Sequence, residues 1–579
     1  MGVPRFYRWL AKRYPAFRCA ADAGTQPHVD NLYLDLNGIV HQCARHDRGS
    51  GIPAAPDHEI FAEVFAQISA IVELVGPRKL LFLGLDGVAP RAKLNQQRAR
   101  RFVAAKEKPQ RDDYESAPPW FDGNCITPGT AFMHALGDAL AFLVRKKMDD
   151  DSHWANLDVV LSTTAVPGEG EHKIMEYIRQ RNDPPSTVHC AYGADADLIL
   201  LALASHEPHF LVIREIPDYS GMRPVVGGPE VRPQRGCAAM EFISISVLRQ
   251  YLRLDLCSPA AVEFFDIERA IDDFVLCSFL CGNDFLPHLP CVDIGEGALD
   301  AIVLLYRKML PEWRDYLTLD GEIVMSRFDS FLQELSVLEP LVLGLKTAPG
   351  GAGGRGRRVL TGSEITSRVL SRVNSLWEDR VQQSGSTVAP NAKPTSVIVE
   401  NVSKPDKRPG DWACPRCAVN NFAVRTECFK CSTAKPAVQG AAVERDTETN
   451  STNNDWVEQT KREYYAQKLG FAPPSGALQR KLSREFLKGM AWTLKYYLTG
   501  CPSWGWFYPF HYAPFLSDMV NSSQYCVYEL GFELGQPYTP LQQLLAVLPP
   551  GSAWALPGAY RRLMLEESSS IRDFYPAEF

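Results

Sequence analysis

No run of roughly 18 apolar residues occurs in this 579-residue sequence, so no segment is expected to cross a bilayer as a helix. The start, MGVPRFYRWL, is basic and aromatic and lacks the apolar stretch of a secretory leader. It also fails the myristoylation pattern, which wants Ser or Thr at the sixth position, where this chain has Phe6. Together these absences predict an intracellular protein with no membrane partner, and they leave nucleus and cytoplasm equally open. Neither sign of charge is in large excess: 61 Lys and Arg stand against 68 Asp and Glu, for a net −7. A polyanionic partner would have to be gripped by local basic patches. No internal repeat of fixed period is present, which argues against repeat architectures.

Disulfide spacing is lacking too. Of 15 cysteines, 11 are scattered, mostly inside apolar stretches as at Cys277 and Cys281, where a thiol behaves as a small buried hydrophobe. The other four are spaced for a metal, and a reducing compartment fits both groups.

What is present is a long chain with 45% hydrophobic residues, enough for two or three folded units. Residues 1–345 alternate short β-rich apolar runs with longer amphipathic ones, the pattern of an α/β fold with a mostly parallel central sheet flanked by helices. Composition then breaks at the Gly- and Arg-rich stretch from Pro349 to Arg358, which reads as a flexible linker. Thr361 and Glu364 have capping-box spacing before a stripe of Ile365, Val369, Val373, Leu376 and Trp377, which predicts one short helix. The segment 346–455 is otherwise polar and disorder-prone around a compact island at 409–435. Residues 456–579 turn aromatic again and should form a last helical piece packed on the first unit.

Acids mark the ends of the apolar runs. VDNLYLDLNG ends on Asp35 and KLLFLGLDG on Asp86; LDVVLSTTAVPGEGE closes on Glu169 and Glu171; VHCAYGADADLILL carries Asp195 and Asp197; and the helical-looking DDFVLCSFLCGND ends on Asp284. In open parallel sheets the loops at the carboxyl ends of strands line the ligand crevice, so acids at four successive strand ends should converge. Seven carboxylates are too many for acid-base work alone, and repulsion among them is normally relieved by bound cations. Oxygen ligands without accompanying Cys or His select Mg²⁺ or Mn²⁺, and two such ions could drive in-line attack on a phosphodiester. For any single Asp-Gly, ordinary turn chemistry is the competing explanation. It does not explain Asp195 with Asp197 or the doubled Glu of PGEGE.

MGVPRFYRWL, YLDLNGIVHQC, LDGVAPRAKLNQQRARRF, NCITPGTAFM, VPGEGEHKIMEYI, YGADADLILL and CGNDFLPHLP closely resemble the successive motifs of Xrn-type 5′-to-3′ exoribonucleases over residues 1 to about 300. EYYAQKLGF, GMAWTLKYYLTGCPSWGWFYPFHYAPFLSD and SSIRDFYPAEF are similar to that family's second conserved region. The resemblance implies a nuclease core (1–345) related to flap endonucleases, braced by the second region (456–579). It also implies metal-binding acids at Asp35, Asp86, Glu169, Glu171, Asp195, Asp197 and Asp284, the seven chosen from the pattern alone. Two departures bear on stability and processivity. The family commonly continues beyond its FYP motif and joins its two regions tightly, whereas this chain ends at Phe579 and inserts about 110 residues.

Pro90 can start a helix, on which Lys93, Gln97, Arg100 and Arg101 share an arc of about 100°, with Arg91 and Arg98 on the other side. A face of three cations and an amide just after a catalytic acid suits a terminal phosphate. In the family the matching positions recognise the 5′-monophosphate and exclude capped ends. A solvated basic face is the competing explanation. The resemblance also implies a stacking His at His41, paired with a Trp of the second region to hold unpaired bases. Trp492 is the candidate, with Trp504 or Trp506 as substitutes and core packing as the alternative.

In the island, Cys414 and Cys417 are followed after ten residues by Cys428 and Cys431, four thiolates spaced for one tetrahedral structural Zn²⁺. The pattern DWxCxxC…NNFxxR…CxxC resembles small zinc fingers of the Ran-binding-protein and ubiquitin-binding type. That likeness implies single-stranded RNA contacts through Trp412, Asn420, Asn421 and Arg425. Ubiquitin is the alternative partner, disfavoured because Asn421-Phe422 replaces the Thr-Phe pair of ubiquitin binders.

The sequence thus predicts a metal-dependent exoribonuclease acting on single-stranded RNA with a 5′-phosphate, in RNA decay or processing. The alternatives are a flap-type DNA nuclease sharing the same acids and a non-catalytic RNA-binding scaffold. Substituted acids would mark the latter, and all seven are present.

Overall fold

A computed structural model describes residues 2–21, 27–45, 56–106, 116, 118, 120–216, 239–347, 361–383, 412–413, 420–421, 449–470, 476–521 and 531–576. A seven-stranded sheet lies at its centre: β1 (Arg18–Ala20), β2 (Asn31–Asp35), β3 (Leu80–Gly84), β4 (Asp158–Ser162), β5 (His189–Tyr192), β6 (Phe210–Glu215) and β7 (Met240–Ser244), in the order β1-β7-β6-β5-β2-β3-β4. Pairings from β6 across to β4 are parallel, and β7 and β1 are added antiparallel at one side. Every residue of β3 and β5 is buried, because helices cover both faces, and this is why those segments read as continuous apolar runs without alternation.

The chain leaves β2 toward β3 and β4, then returns to the other side of β2 to form β5 and β6. The carboxyl ends of β2 and β5 therefore flank the point where strand order reverses, the place where such sheets bind ligands. Helix α1 (Phe6–Arg13) precedes the sheet, and α2 (Leu36–Arg45) follows β2 directly. Helices α3 (Asp57–Val75) and α5 (Ala131–Asp150) close one face, with Ile68, Val72, Leu136 and Leu140 packed among Leu32, Leu34, Leu81 and Leu83. Between them in the chain runs α4 (Arg91–Lys106); α6 (Ser152–Ala155), α7 (Gly170–Gln180) and α8 (Asp197–Ala204) follow.

The chain divides into two compact units, Met1–Trp377 with Arg462–Phe579, and Glu378–Lys461. In the first, the helix Gly476–Leu498 packs on α8, and the helix Pro540–Val547 packs on α4. The expected helix after Thr361 spans Gly362–Gln383, with Thr361 and Glu364 in reciprocal hydrogen bonds. In the second unit Trp412–Ala413 pairs antiparallel with Asn420–Asn421. Cys414, Cys417, Arg425, Cys428 and Cys431 lie outside the described residues. No described helix is long and apolar enough to cross a membrane.

Candidate active site

Each expected acid stands at a strand or helix end. Asp35 is the last residue of β2, Asp86 lies two residues past β3, Glu169 and Glu171 bracket the first residue of α7, and Asp195 and Asp197 bracket the start of α8 after β5. Asp284 follows the one-turn helix Phe279–Cys281. These acids share one electrostatic environment. Asp35 feels Asp86, Asp195 and Glu169; Glu171 feels Asp35, Glu169 and Asp195; and Asp197 feels Asp284 and Asp195.

Burial and then mutual repulsion hold Asp35 and Glu171 well above the usual carboxylate range, and Asp197 is pushed up to about 7. Burial likewise raises Asp86 and Glu169, although Asp86 accepts the Gly170 amide at 2.7 Å and clasps Asn37 through two hydrogen bonds. Asp284 behaves oppositely. Burial would raise it, but the Lys93 ammonium 2.6 Å away overcomes that and holds it below its ordinary value.

Lys93 is thus the internal counter-charge. Its Nζ lies 2.5 Å from Glu169 and 2.6 Å from Asp284, and burial, which would lower its affinity for a proton, is outweighed by those partners. Three further groups absent from the sequence reading complete this arrangement. Gln96 Nε2 donates to Asp284 Oδ1 at 2.6 Å. Lys173, 5% exposed, donates to the Leu85 and Thr163 carbonyls, tying the ends of β3 and β4 together, and burial lowers it to about 8. The Gly2 and Val3 amides donate to Asp284 and Asp197 at 2.8 and 3.0 Å. Gly2 has φ +77°, and a Cβ there would fall 1.7 Å from Asp197 Oδ1, so close backbone approach to the acids explains the glycine. No spacing rule could have found these contacts, since each joins segments far apart in sequence.

Along α4, Lys93, Gln97 and Arg101 are buried and Arg100 is exposed. Arg101 is lowered to about 10, chiefly by burial, and its Nε has no hydrogen-bond partner among the described residues. Arg91 stacks on Phe507 at 3.8 Å, and Arg98 lies over Phe102 at 4.4 Å while donating to the Ala546 carbonyl. Arg91 and Arg98, on the other side of the helix, therefore dock the second region, while Lys93 on the shared arc reaches the acids.

The expectation for Trp492 is corrected. Its ring is fully buried, packed against Phe285, Tyr496 and Trp506, and its Nε1 donates to the Ser503 carbonyl at 3.0 Å. No face remains for a base, so Trp492 is a core residue. Helical periodicity alone cannot tell a buried stripe from a presented one. Tyr496, on the same helix, reaches the site, stacking on His172 at 3.6 Å and donating to Glu169 at 3.4 Å. His41 on α2 and both Trp504 and Trp506 are half-buried.

The family model for the XRN 5′-3′ exonuclease N-terminus matches residues 1–216, and that for the Xrn1 helical domain matches residues 264–579. The chain belongs to the XRN family of 5′-3′ exoribonucleases. Over its whole length it is 35% identical to 5′-3′ exoribonuclease 2 of Debaryomyces hansenii, 34% to 5′-3′ exoribonuclease 1 of Schizosaccharomyces pombe and 35% to 5′-3′ exoribonuclease 1 of Homo sapiens. It spans 67%, 46% and 32% of those proteins. Among solved structures, the catalytic core of Rad2 in complex with DNA covers 66% of this chain and 98% of its own at 11% identity and a TM-score of 0.31; the fold assignment rests on the sheet itself.

For an XRN-family chain the fit of a divalent cation can be tested on the side chains present. Among the described residues no three His, Cys, Asp or Glu side chains converge as a finished metal site, and Lys93, Gln96 and Asn37 engage Glu169, Asp284 and Asp86. Asp35 Oδ1 is nevertheless buried without a hydrogen-bond partner. A Cβ on Gly170 would fall 2.5 Å from that oxygen and 3.4 Å from Asp86 Oδ1, so the glycine leaves the space between the two acids clear. An orphaned carboxylate oxygen among mutually repelling acids, with oxygen donors throughout, suits Mg²⁺ or Mn²⁺.

Proposed function

We propose that this chain is a divalent-metal-dependent exoribonuclease that hydrolyses 5′-monophosphorylated single-stranded RNA from its 5′ end, releasing nucleoside 5′-monophosphates, inside the cell and in RNA decay or processing. The observation that carries this reading is the continuity of α4 with the acid cluster: Lys93 reaches Glu169 and Asp284 from the same arc that holds Gln97 and Arg101. A terminal phosphate on that arc would be gripped by charge-assisted hydrogen bonds while the adjoining phosphodiester lay toward the acids. Asp35, Asp86, Glu169, Glu171, Asp195, Asp197 and Asp284 would hold two ions, which when bound supply Lewis acidity toward the scissile phosphate and the attacking water. Asn37 and the Gly170 amide orient Asp86, and the Gly2 and Val3 amides orient Asp284 and Asp197. His41, with a half-buried aromatic such as Trp504 or Trp506, is the candidate platform for unpaired bases.

The deciding assay presents the purified protein with 5′-phosphate RNA, 5′-hydroxyl RNA, capped RNA and matching DNA, each with and without Mg²⁺. Mononucleotide release from the first cut, much faster on 5′-phosphate than on 5′-hydroxyl RNA, absent on capped RNA and dependent on the metal, is expected. Cleavage of the DNA would favour the flap-nuclease reading, and binding without cleavage a scaffold.

For the inserted island, the cysteine spacing supports one zinc per chain on Cys414, Cys417, Cys428 and Cys431, with RNA contacts from Trp412, Asn420, Asn421 and Arg425. Elemental analysis should find that zinc, and Arg425→Ala should weaken RNA binding. Unchanged RNA affinity with measurable ubiquitin binding would favour ubiquitin.

A further inference from the structure

Gln543 belongs to no motif noted above, yet it is 1% exposed and lies between the loop that carries the acids and the basic arc. It sits on the helix Pro540–Val547, whose start is fixed by the capping box of Thr539 and Gln542. Val547 packs that helix on Ala89 and Leu94, and Leu544 packs with Phe102. Arg98, from α4, donates to the Ala546 carbonyl of the same helix at 2.8 Å. Gln543 is thus held against the first turns of α4 by apolar packing and a charged hydrogen bond.

Its two amide ends have unequal partners. Gln543 Oε1 accepts the Ala89 backbone N–H at 2.9 Å, and Gln543 Nε2 donates to Gln97 Oε1 at 3.5 Å. The orientation follows from chemistry alone. A backbone N–H can only donate, so the Gln543 atom facing Ala89 must be the carbonyl oxygen, and its other end must be the NH₂. An NH₂ can only donate, so the Gln97 atom facing it must be a carbonyl oxygen. The remaining end of Gln97, its own NH₂, makes no hydrogen bond among the described residues, although the residue is 8% exposed. That NH₂ is therefore free to donate to a ligand acceptor.

We infer that Gln543 is a positioning residue for the 5′ end of the substrate: it locks the Gln97 amide so that the donor end, and never the acceptor end, faces the terminal phosphate. This rests on the proposed phosphate pocket and extends it to a residue about 450 positions away in the chain. Phosphate oxygens only accept at neutral pH apart from a residual proton, so a Gln97 turned the other way would set a carbonyl against them. Apolar packing of Pro540–Val547 alone could not make that distinction, since the two ends of an amide have nearly the same shape.

The test exploits isosteric substitution. In Gln543→Glu one carboxylate oxygen still accepts from Ala89, but the other can only accept, so Gln97 must turn its NH₂ toward it and its carbonyl toward the phosphate. The quantity read is the ratio of kcat/KM on 5′-phosphate RNA to kcat/KM on 5′-hydroxyl RNA, with Mg²⁺ present. Gln543→Glu should lower that ratio by about 10-fold or more, the size of one charged hydrogen bond. Gln97→Leu should lower it comparably, and the double variant should fall no further than Gln97→Leu alone. Gln543→Met, which frees Gln97 to take either orientation, should lower it less than Gln543→Glu, and it serves if the Glu variant does not fold. A wild-type ratio well above one that Gln543→Glu and Gln543→Met leave unchanged would overturn the inference. So would equal losses on both substrates, which would mark Gln543 as structural only. A wild-type ratio near one would instead remove the phosphate pocket itself.

Discussion

Lys93 Nζ and Asp284 Oδ2, 191 residues apart in sequence, are 2.6 Å apart in the fold. Glu169 completes the contact at 2.5 Å, so a single ammonium bridges acids contributed by two separate elements. Removing one member of such a buried pair costs about 3–5 kcal/mol, because its partners are left charged and desolvated. Lys93→Met should therefore lower the melting temperature markedly in chelator. If the acids bind divalent ions, Mg²⁺ should raise the melting temperature more in this variant than in wild type. No Mg²⁺ shift in either protein would show that the acids do not take up the ion.

Asp86 and Asp197 test the acid cluster directly. Either changed to Ala removes an anionic ligand, and hydrolysis should fall below detection while circular dichroism remains that of wild type. Chelation should stop the wild-type reaction, and Mg²⁺ or Mn²⁺ should restore it. Near-normal turnover in either variant would refute the assignment.

Arg100 is the exposed cation of the arc, so its loss should spare the fold. If it holds a terminal phosphate through one charged hydrogen bond, Arg100→Ala should reduce kcat/KM on 5′-phosphate RNA by roughly 10- to 150-fold and affect 5′-hydroxyl RNA far less. Initial rates on the two RNAs decide it. Parallel losses would reduce the basic arc to a solvated surface.

Trp492 is expected to act on stability and not on base stacking. Trp492→Ala leaves a void among Phe285, Tyr496 and Trp506 and strands the Ser503 carbonyl, at a cost of about 3–5 kcal/mol in urea unfolding. A stable variant with weakened RNA binding would restore the stacking role.

His206 sets a pH dependence away from the site. Burial would lower its pKa, but hydrogen bonds to Asp272 and Glu268, at 2.9 and 2.8 Å, raise it to about 9. The folded value lies above the ordinary 6.5, so the stabilisation is complete below about pH 6.5, declines above that, and is lost as pH rises through about 9. With a third of the side chain exposed, solvent screening leaves on the order of 1 kcal/mol. The stability gap between wild type and His206→Gln should be widest near pH 6 and should close by pH 10. A gap that is constant across that range would exclude the titration.

The sequence by itself determined the sheet and where its acids fall. Fully buried parallel strands read as continuous apolar runs, and the segments at their carboxyl ends line the ligand crevice. Asp35 closing NLYLD and Asp197 opening DLILLALA could therefore be read from local pattern alone. The arc of α4 was equally legible, because helical geometry converts spacing into direction. Only the tertiary structure decided which groups those residues meet. Lys93 bridges two acids instead of standing free, Gly2 is glycine because Asp197 occupies the space of a side chain, Trp492 is sealed in the core, and Gln543 meets Gln97 across most of the chain. These are pairings between elements distant in sequence. Periodicity reports the face on which a side chain lies, whereas the partner on that face depends on how the whole chain packs.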